Sequence, residues 1–170
     1  MAVTATADHR VVDRRRIELV EPGLPAMPIH HRDGRRLGDA AMADLVARVR
    51  ASALRVGGAA LDALAAALPA PIGSLSVRDW PDDFPTDLAV LRRAPWEARA
   101  DSVMYRRVLA ELARERGWAV HRYDARDVEA EATLVLGPRV GEVLNGPRAQ
   151  LGPPWTRDHR LALAATVTGP

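Results

Sequence analysis

Apolar residues recur between positions 42 and 64 at Met42, Val46, Val49, Ala53, Val56, Ala60 and Leu64. Steps of three and four residues keep these positions on one side of a helix. The pattern predicts a long helix that opens at Asp39, where a short carboxylate caps free amides, and closes before Pro69 and Pro71. Gly57 and Gly58 interrupt its composition without breaking its phase. Each Gly weakens a helix by ~1 kcal/mol relative to Ala, so one long helix bent at the pair is expected. A second stripe runs through Ala100, Val103, Met104, Val108 and Leu112. It predicts a helix from Trp96 to Arg116, opened by Pro95 and stopped by Gly117, with Arg114 and Arg116 at its negative end.

Shorter patterns supply the strands. PIGSLSVRDW (71–80) and WAVHRY (118–123) are short and rich in small or β-branched residues. The helix between them makes the connection a parallel crossover, and the first of the two strands is expected to be central. Near the start, Ile17 and Leu19 alternate with Glu18, so Val11–Val12 and Ile17–Leu19 form the arms of an expected hairpin turning at Arg14, Arg15 and Arg16. Residues 1–9 are expected to be a disordered tail. Ile29 and His30 form a short edge strand before a turn at Asp33-Gly34.

After WAVHRY, Asp124 caps a helix with Asp127 in capping-box position. Its inner face is Val128, Ala132 and Val135, and Gly137 ends it. A short helix over Val140–Leu144, a loop RAQLGPPW (148–155) and a last helix RDHRLALAAT, opening at Pro154 or Thr156, complete the chain. The fold class is α/β: residues 10–170 as a single domain, a mixed sheet with flanking helices.

Composition narrows the chemistry. The 170 residues contain no Cys, which excludes disulfides, thiolate catalysis and Cys-ligated zinc. All 24 basic residues are Arg, so neither a Schiff-base lysine nor a P-loop lysine exists. With 22 carboxylates the net charge is only +2, which is not by itself a nucleic-acid signature. Arginine clusters at 14–16, 35–36, 92–93 and 106–107 would make a phosphate-binding surface only by sharing a face. No apolar run is long enough to span a bilayer and MAVTATADHR lacks the pattern of a signal peptide, so a cytoplasmic protein is expected.

No Rossmann, P-loop, zincin or nucleophile-elbow motif is present. The densest stretch is RDWPDDFPTDLAVLRRAPWEARADSVMYRR (78–107). Two readings of it stand side by side. Asp79, Asp82, Asp83 and Asp87 follow a strand, where open α/β sheets place ligands and where carboxylates suit Mg²⁺. Alternatively Trp80 and Phe84 plug the loop into the core and leave the aspartates in water. Glu97 and Asp101 share a helix face and either extend the acidic site or pair with Arg92, Arg93 and Arg99. Asp158 and His159 open the last helix as a carboxylate and a proton carrier, or as an acidic first turn suited to the helix dipole. His30-His31 with Asp33 reads as surface residues, because neighbouring strand side chains point apart. His121 reads as a satisfied structural histidine.

The order hairpin, long helix, strand, helix, strand, final helix resembles the ribonuclease H-like fold, in particular its RuvC-like resolvase branch. RGWAVHRYDARDVEAEA is similar to a strand and following helix of that family, and DHRLALAAT to its closing helix, which begins with a metal-binding Asp. The resemblance covers about the second half of the chain. It implies a Mg²⁺-dependent nuclease acting on nucleic acid, with Asp13, Asp79 and Asp158 as catalytic and metal-binding carboxylates. Two departures stand out. Asp13 is followed by Arg14 and Arg15 where the family has Asp-x-Gly, and Asp79 falls one or two residues late. They imply the alternative: a non-catalytic interaction or structural module. That module would use the Trp- and Pro-rich loop 79–97 to contact a protein partner, and under either reading the partner or substrate surface would comprise Trp80, Asp82, Asp83, Phe84, Trp96, Glu97, Asp101 and His159.

Overall fold

The computed structural model describes residues 1–30 and 37–169. The expected Asp33-Gly34 turn, His31 and the Arg35–Arg36 cluster lie outside these residues. The chain has a mixed α/β architecture with two small sheets and flanking helices. Two compact units can be described: residues 1–17, 68–79 and 116–170 form the first, residues 18–67 and 80–115 the second.

The first unit begins with a strand rather than a tail. β1 (Ala2–Ala5) pairs antiparallel with β2 (Val11–Arg15), Val3 opposite Arg14 and Thr4 opposite Asp13. Turn chemistry decides the hairpin's position. The Thr6 amide donates to Arg10 O at 3.0 Å, the His9 amide donates to Thr6 O at 2.8 Å, and His9 takes φ 66°. A run of three arginines offers no such residue. The Arg14 guanidinium is also committed elsewhere, donating to the carbonyls of Gly152 at 3.1 Å and Pro154 at 2.7 Å. Ile17 and Leu19 therefore lie outside any strand.

β3 (Ser74–Arg78) and β4 (Ala119–Tyr123) form the expected parallel pair, from Ser74 opposite Ala119 to Arg78 opposite Tyr123. They make a two-stranded sheet of their own, so β3 is not central. α4 (Val128–Leu136) follows a turn built by Asp124, whose carboxylate accepts from the Arg126 amide and guanidinium instead of capping the helix. That pairing holds the Asp124 carboxyl down at about 2. α4 buries Val128, Ala132 and Leu136, while Val135 faces outward, because a strict four-residue step favours Leu136. After a 3-10 turn (Gly137–Arg139) come α5 (Val140–Asn145), α6 (Pro147–Leu151), which takes up half of the expected loop, and α7 (Arg157–Thr168). α7 is the hub. Leu161, Leu163, Ala164, Ala165 and Val167 are buried with Tyr123, Val128, Ala132, Leu136, Val143 and Leu144, and Val3, Ala5 and Val11 pack on this cluster. The small side chains of α7 allow strand and helix neighbours to approach closely.

The second unit is built on α1 (Asp39–Ala67) and α3 (Glu97–Glu115), with the short α2 (Leu88–Leu91) before α3. α1 runs unbroken through Gly57-Gly58. The glycines serve packing instead of a bend: a Cβ on Gly57 would meet Leu112 Cδ1 at 3.2 Å and Leu19 Cδ2 at 3.3 Å. The buried face of α1 is Met42, Val49, Ser52, Ala53, Gly57, Gly58, Leu61 and Leu64. Asp39 lies inside the first turn, one residue later than a cap, and pairs with Arg92. α3 ends where expected, Gly117 taking φ 73°. Among the described residues no helix is long and apolar enough to cross a membrane.

Candidate functional site

The carboxyl ends of β3 and β4 bring Arg78 and Tyr123 to the same level, and the first turn of α7 adds Asp158. Arg78, Tyr123, Asp158, Ala162 and Met1 line a hollow of about 270 Å³. The Asp158 side chain is 70% exposed, and Arg78 Nη2 donates to its Oδ1 at 2.9 Å. Asp79 lies one residue beyond β3. Its amide continues the ladder to Tyr123 O at 2.8 Å, and its carboxylate accepts from Arg122 Nε at 2.6 Å. Asp13 sits on β2 and is held by Arg15 two residues on, through Nε at 2.8 Å and Nη2 at 2.7 Å. Each of the three carboxylates thus faces a guanidinium. Among the described residues no group of three or more His, Asp or Glu side chains is placed to hold a metal ion. A divalent cation at Asp158 would have to compete with the positive Arg78.

His159 is a structural residue. It is 2% exposed and stacks on Trp155, ring centroids 5.3 Å apart. The Thr156 amide donates to His159 Nδ1 at 3.1 Å, the histidine standing where a capping box ordinarily has Glu or Gln. The Thr156 hydroxyl also lies 2.8 Å from Nδ1, and among the described residues the buried Nε2 has no hydrogen-bond partner. Burial first, and the nearby Arg14 second, lower its pKa. His121 is held by polar partners of its own. Its Nδ1 is 3.2 Å from Ser76 Oγ and 3.3 Å from Ala165 O, while Ser76 Oγ donates to Ala165 O at 2.9 Å. Together they serve the last turn of α7, whose carbonyls lack helical partners.

In the second unit the aromatic loop is an anchored crossing. Trp80 and Phe84 are buried, and Trp96 meets Phe84 edge-on at 5.4 Å. Arg99 and Arg107 each lie 5.8 Å from the Phe84 ring centre, and Arg107 also donates to Phe84 O at 3.0 Å. Asp87 caps α2 through the Ala89 amide at 2.7 Å. Of the residues expected to form a contact surface, Trp80, Phe84, Asp101 and His159 are buried, since each fills the interior or satisfies backbone amides. Asp82 and Asp83 are exposed, and Trp96 and Glu97 are half-buried.

Asp101 holds the largest surprise. It is 5% exposed, and its two oxygens accept from the Ile29 amide at 3.0 Å and the His30 amide at 2.9 Å. The two residues expected to form an edge strand give their amides to this carboxylate instead. Burial raises the Asp101 pKa against the lowering effect of those amides. Tyr105, one turn on, donates to Ala26 O at 2.7 Å and is pushed up to about 12 by burial, with the Asp101 charge adding. Ser52 on α1 accepts from the Glu21 amide at 2.9 Å. The signal for Ser52 is its place three residues after Val49 on an apolar stripe; Asp101 likewise stands one residue after Ala100, inside the buried face of α3.

No family model matches this chain, and neither a curated protein nor a solved structure was found to match it.

Proposed function

We propose that this chain is a non-catalytic interaction module. The observation that carries the reading is the pairing of each candidate catalytic carboxylate with its own arginine: Asp13 with Arg15, Asp79 with Arg122, Asp158 with Arg78. A carboxylate clasped by a guanidinium is a poor metal ligand, and an arginine neutralised by a carboxylate is a poor phosphate ligand. The same pairing therefore weakens both the metal and the nucleic-acid parts of the alternative. It leaves a surface of mixed sign, which suits a protein partner.

The second reading is a Mg²⁺-dependent nuclease of RuvC-like, ribonuclease H-like ancestry. What favours it is Asp158, exposed at the mouth of the hollow beside the carboxyl end of a parallel strand pair. Calorimetric titration with Mg²⁺ and Mn²⁺ separates the two. The module reading expects no saturable heat from wild type or Asp158→Asn. Saturable binding that disappears in Asp158→Asn would overturn it, and cleavage assays on branched and single-stranded DNA would then be decisive for the second reading.

A further inference from the structure

Residues 21–30, EPGLPAMPIH, cross the second unit as an irregular strap. Three prolines, Pro22, Pro25 and Pro28, remove amide donors and forbid a regular ladder. The strap is tied down mainly by side chains of the two helices beneath it. From α1, Ser52 takes the Glu21 amide and Arg55 pairs with the Glu21 carboxylate at 2.6 Å. From α3, Tyr105 donates to Ala26 O and Asp101 takes the adjacent amides of Ile29 and His30. Pro28 and Ile29 are buried, Ile29 at 1% exposure, whereas Met27 is 43% exposed.

The helices hold this segment as they would a bound peptide. A bent, proline-rich segment contributes two apolar side chains, Pro28 and Ile29, and backbone groups, and the helices contribute polar side chains that meet the backbone. A helix position packed against its own chain is filled more cheaply by an apolar residue than by a buried carboxylate, whose desolvation is unfavourable. A carboxylate there selects two consecutive free amides beside an apolar anchor, whatever chain they belong to.

We propose that residues 21–30 are a displaceable internal ligand, and that the α1–α3 face beneath them binds a bent, proline-containing peptide of a partner with a Pro-Ile-like anchor followed by a non-proline residue. The proposal rests on the reading of the chain as an interaction module and supplies its site. The tethered strap competes at high local concentration, so the free protein is self-blocked.

The test uses a labelled peptide of sequence VEPGLPAMPIH and the full chain carrying Ile29→Asp, which puts a charge in the anchor pocket and frees the face. Binding about tenfold or more tighter to Ile29→Asp than to wild type is expected, because the tethered competitor is gone. Adding Asp101→Asn to that variant should abolish the gain, since an amide group presents a donor where the peptide also presents one. Equal or absent peptide binding by a variant whose circular dichroism is native would overturn the proposal. Hydrogen exchange on the wild type probes the same strap without any substitution. The Ile29 and His30 amides should exchange by local opening, far faster than the Val108 amide of α3, and equal protection of all three would also overturn it. The metal titration reads carboxylates of the first unit and this assay reads the second, so the two failures are separable.

Discussion

His159 couples a helix cap to proton concentration. Its Nδ1 accepts from Thr156, so protonation there replaces an acceptor with a donor, at the positive end of α7 and near Arg14, the Met1 amino group and Asp158. Its pKa in the fold lies below the ordinary histidine value, chiefly through burial. The stability of the neutral ring is therefore fully present above about pH 6.5 and lost as pH falls through the lowered value. Thermal melts between about pH 7.5 and 5 should show this loss, and His159→Gln, which keeps an acceptor for the Thr156 amide, should flatten it. A slope unchanged in His159→Gln would assign it to another group. Residue types at element ends were legible in part: Gly117 after α3 and Thr156 before α7 stand where expected, whereas Asp39 falls inside α1 and Asp124 builds a turn. Buried polar residues were not. Asp101 reads in the sequence as half of a surface carboxylate pair, and nothing local says that the amides of Ile29 and His30, some seventy residues earlier, will be brought to it.

At the scale of elements, hydrophobic period was a good guide to helices and a poor one to short strands. α1 and α3 carry many turns of repeated signal, so their extents emerged nearly complete. β1 holds only AVTA, too short for alternation to separate a strand from a tail, and its pairing is set by a turn at His9 and by Val3 and Ala5 packing on the core cluster. Gly57 shows how a local rule can be reversed by packing. Helix propensity alone favours Gly57→Ala by ~1 kcal/mol. The contacts at 3.2 and 3.3 Å oppose it, and overpacking of this kind costs ~1–3 kcal/mol. The net expectation is destabilisation of about 1 kcal/mol, a fall in Tm of about 2–4 °C for a chain of this size. A rise in Tm would mean that the leucines yield freely and that the glycine is not there for α1–α3 packing.

For the whole molecule, the α/β class and the parallel β3–β4 connection were legible because strand, helix and strand follow one another directly. The division of strands between two sheets was not, since hydrophobicity marks a strand but does not name its neighbour. Nor was the division of the chain into two units, each assembled from separate segments. That interleaving bears on synthesis from the ribosome. All of residues 18–67 and 80–115 emerge before α4 to α7 exist, so the second unit has its parts early. β1, made before that unit, packs against α7, made after it, and must wait for α7. Pairings so distant in sequence close slowly. In pulsed hydrogen exchange during refolding, amides of α1 and α3 should gain protection ahead of those of β1 and β2. Until α7 arrives, the Val3, Ala5 and Val11 side chains have no core to enter, and the hairpin exposes short apolar strands of the kind that aggregate.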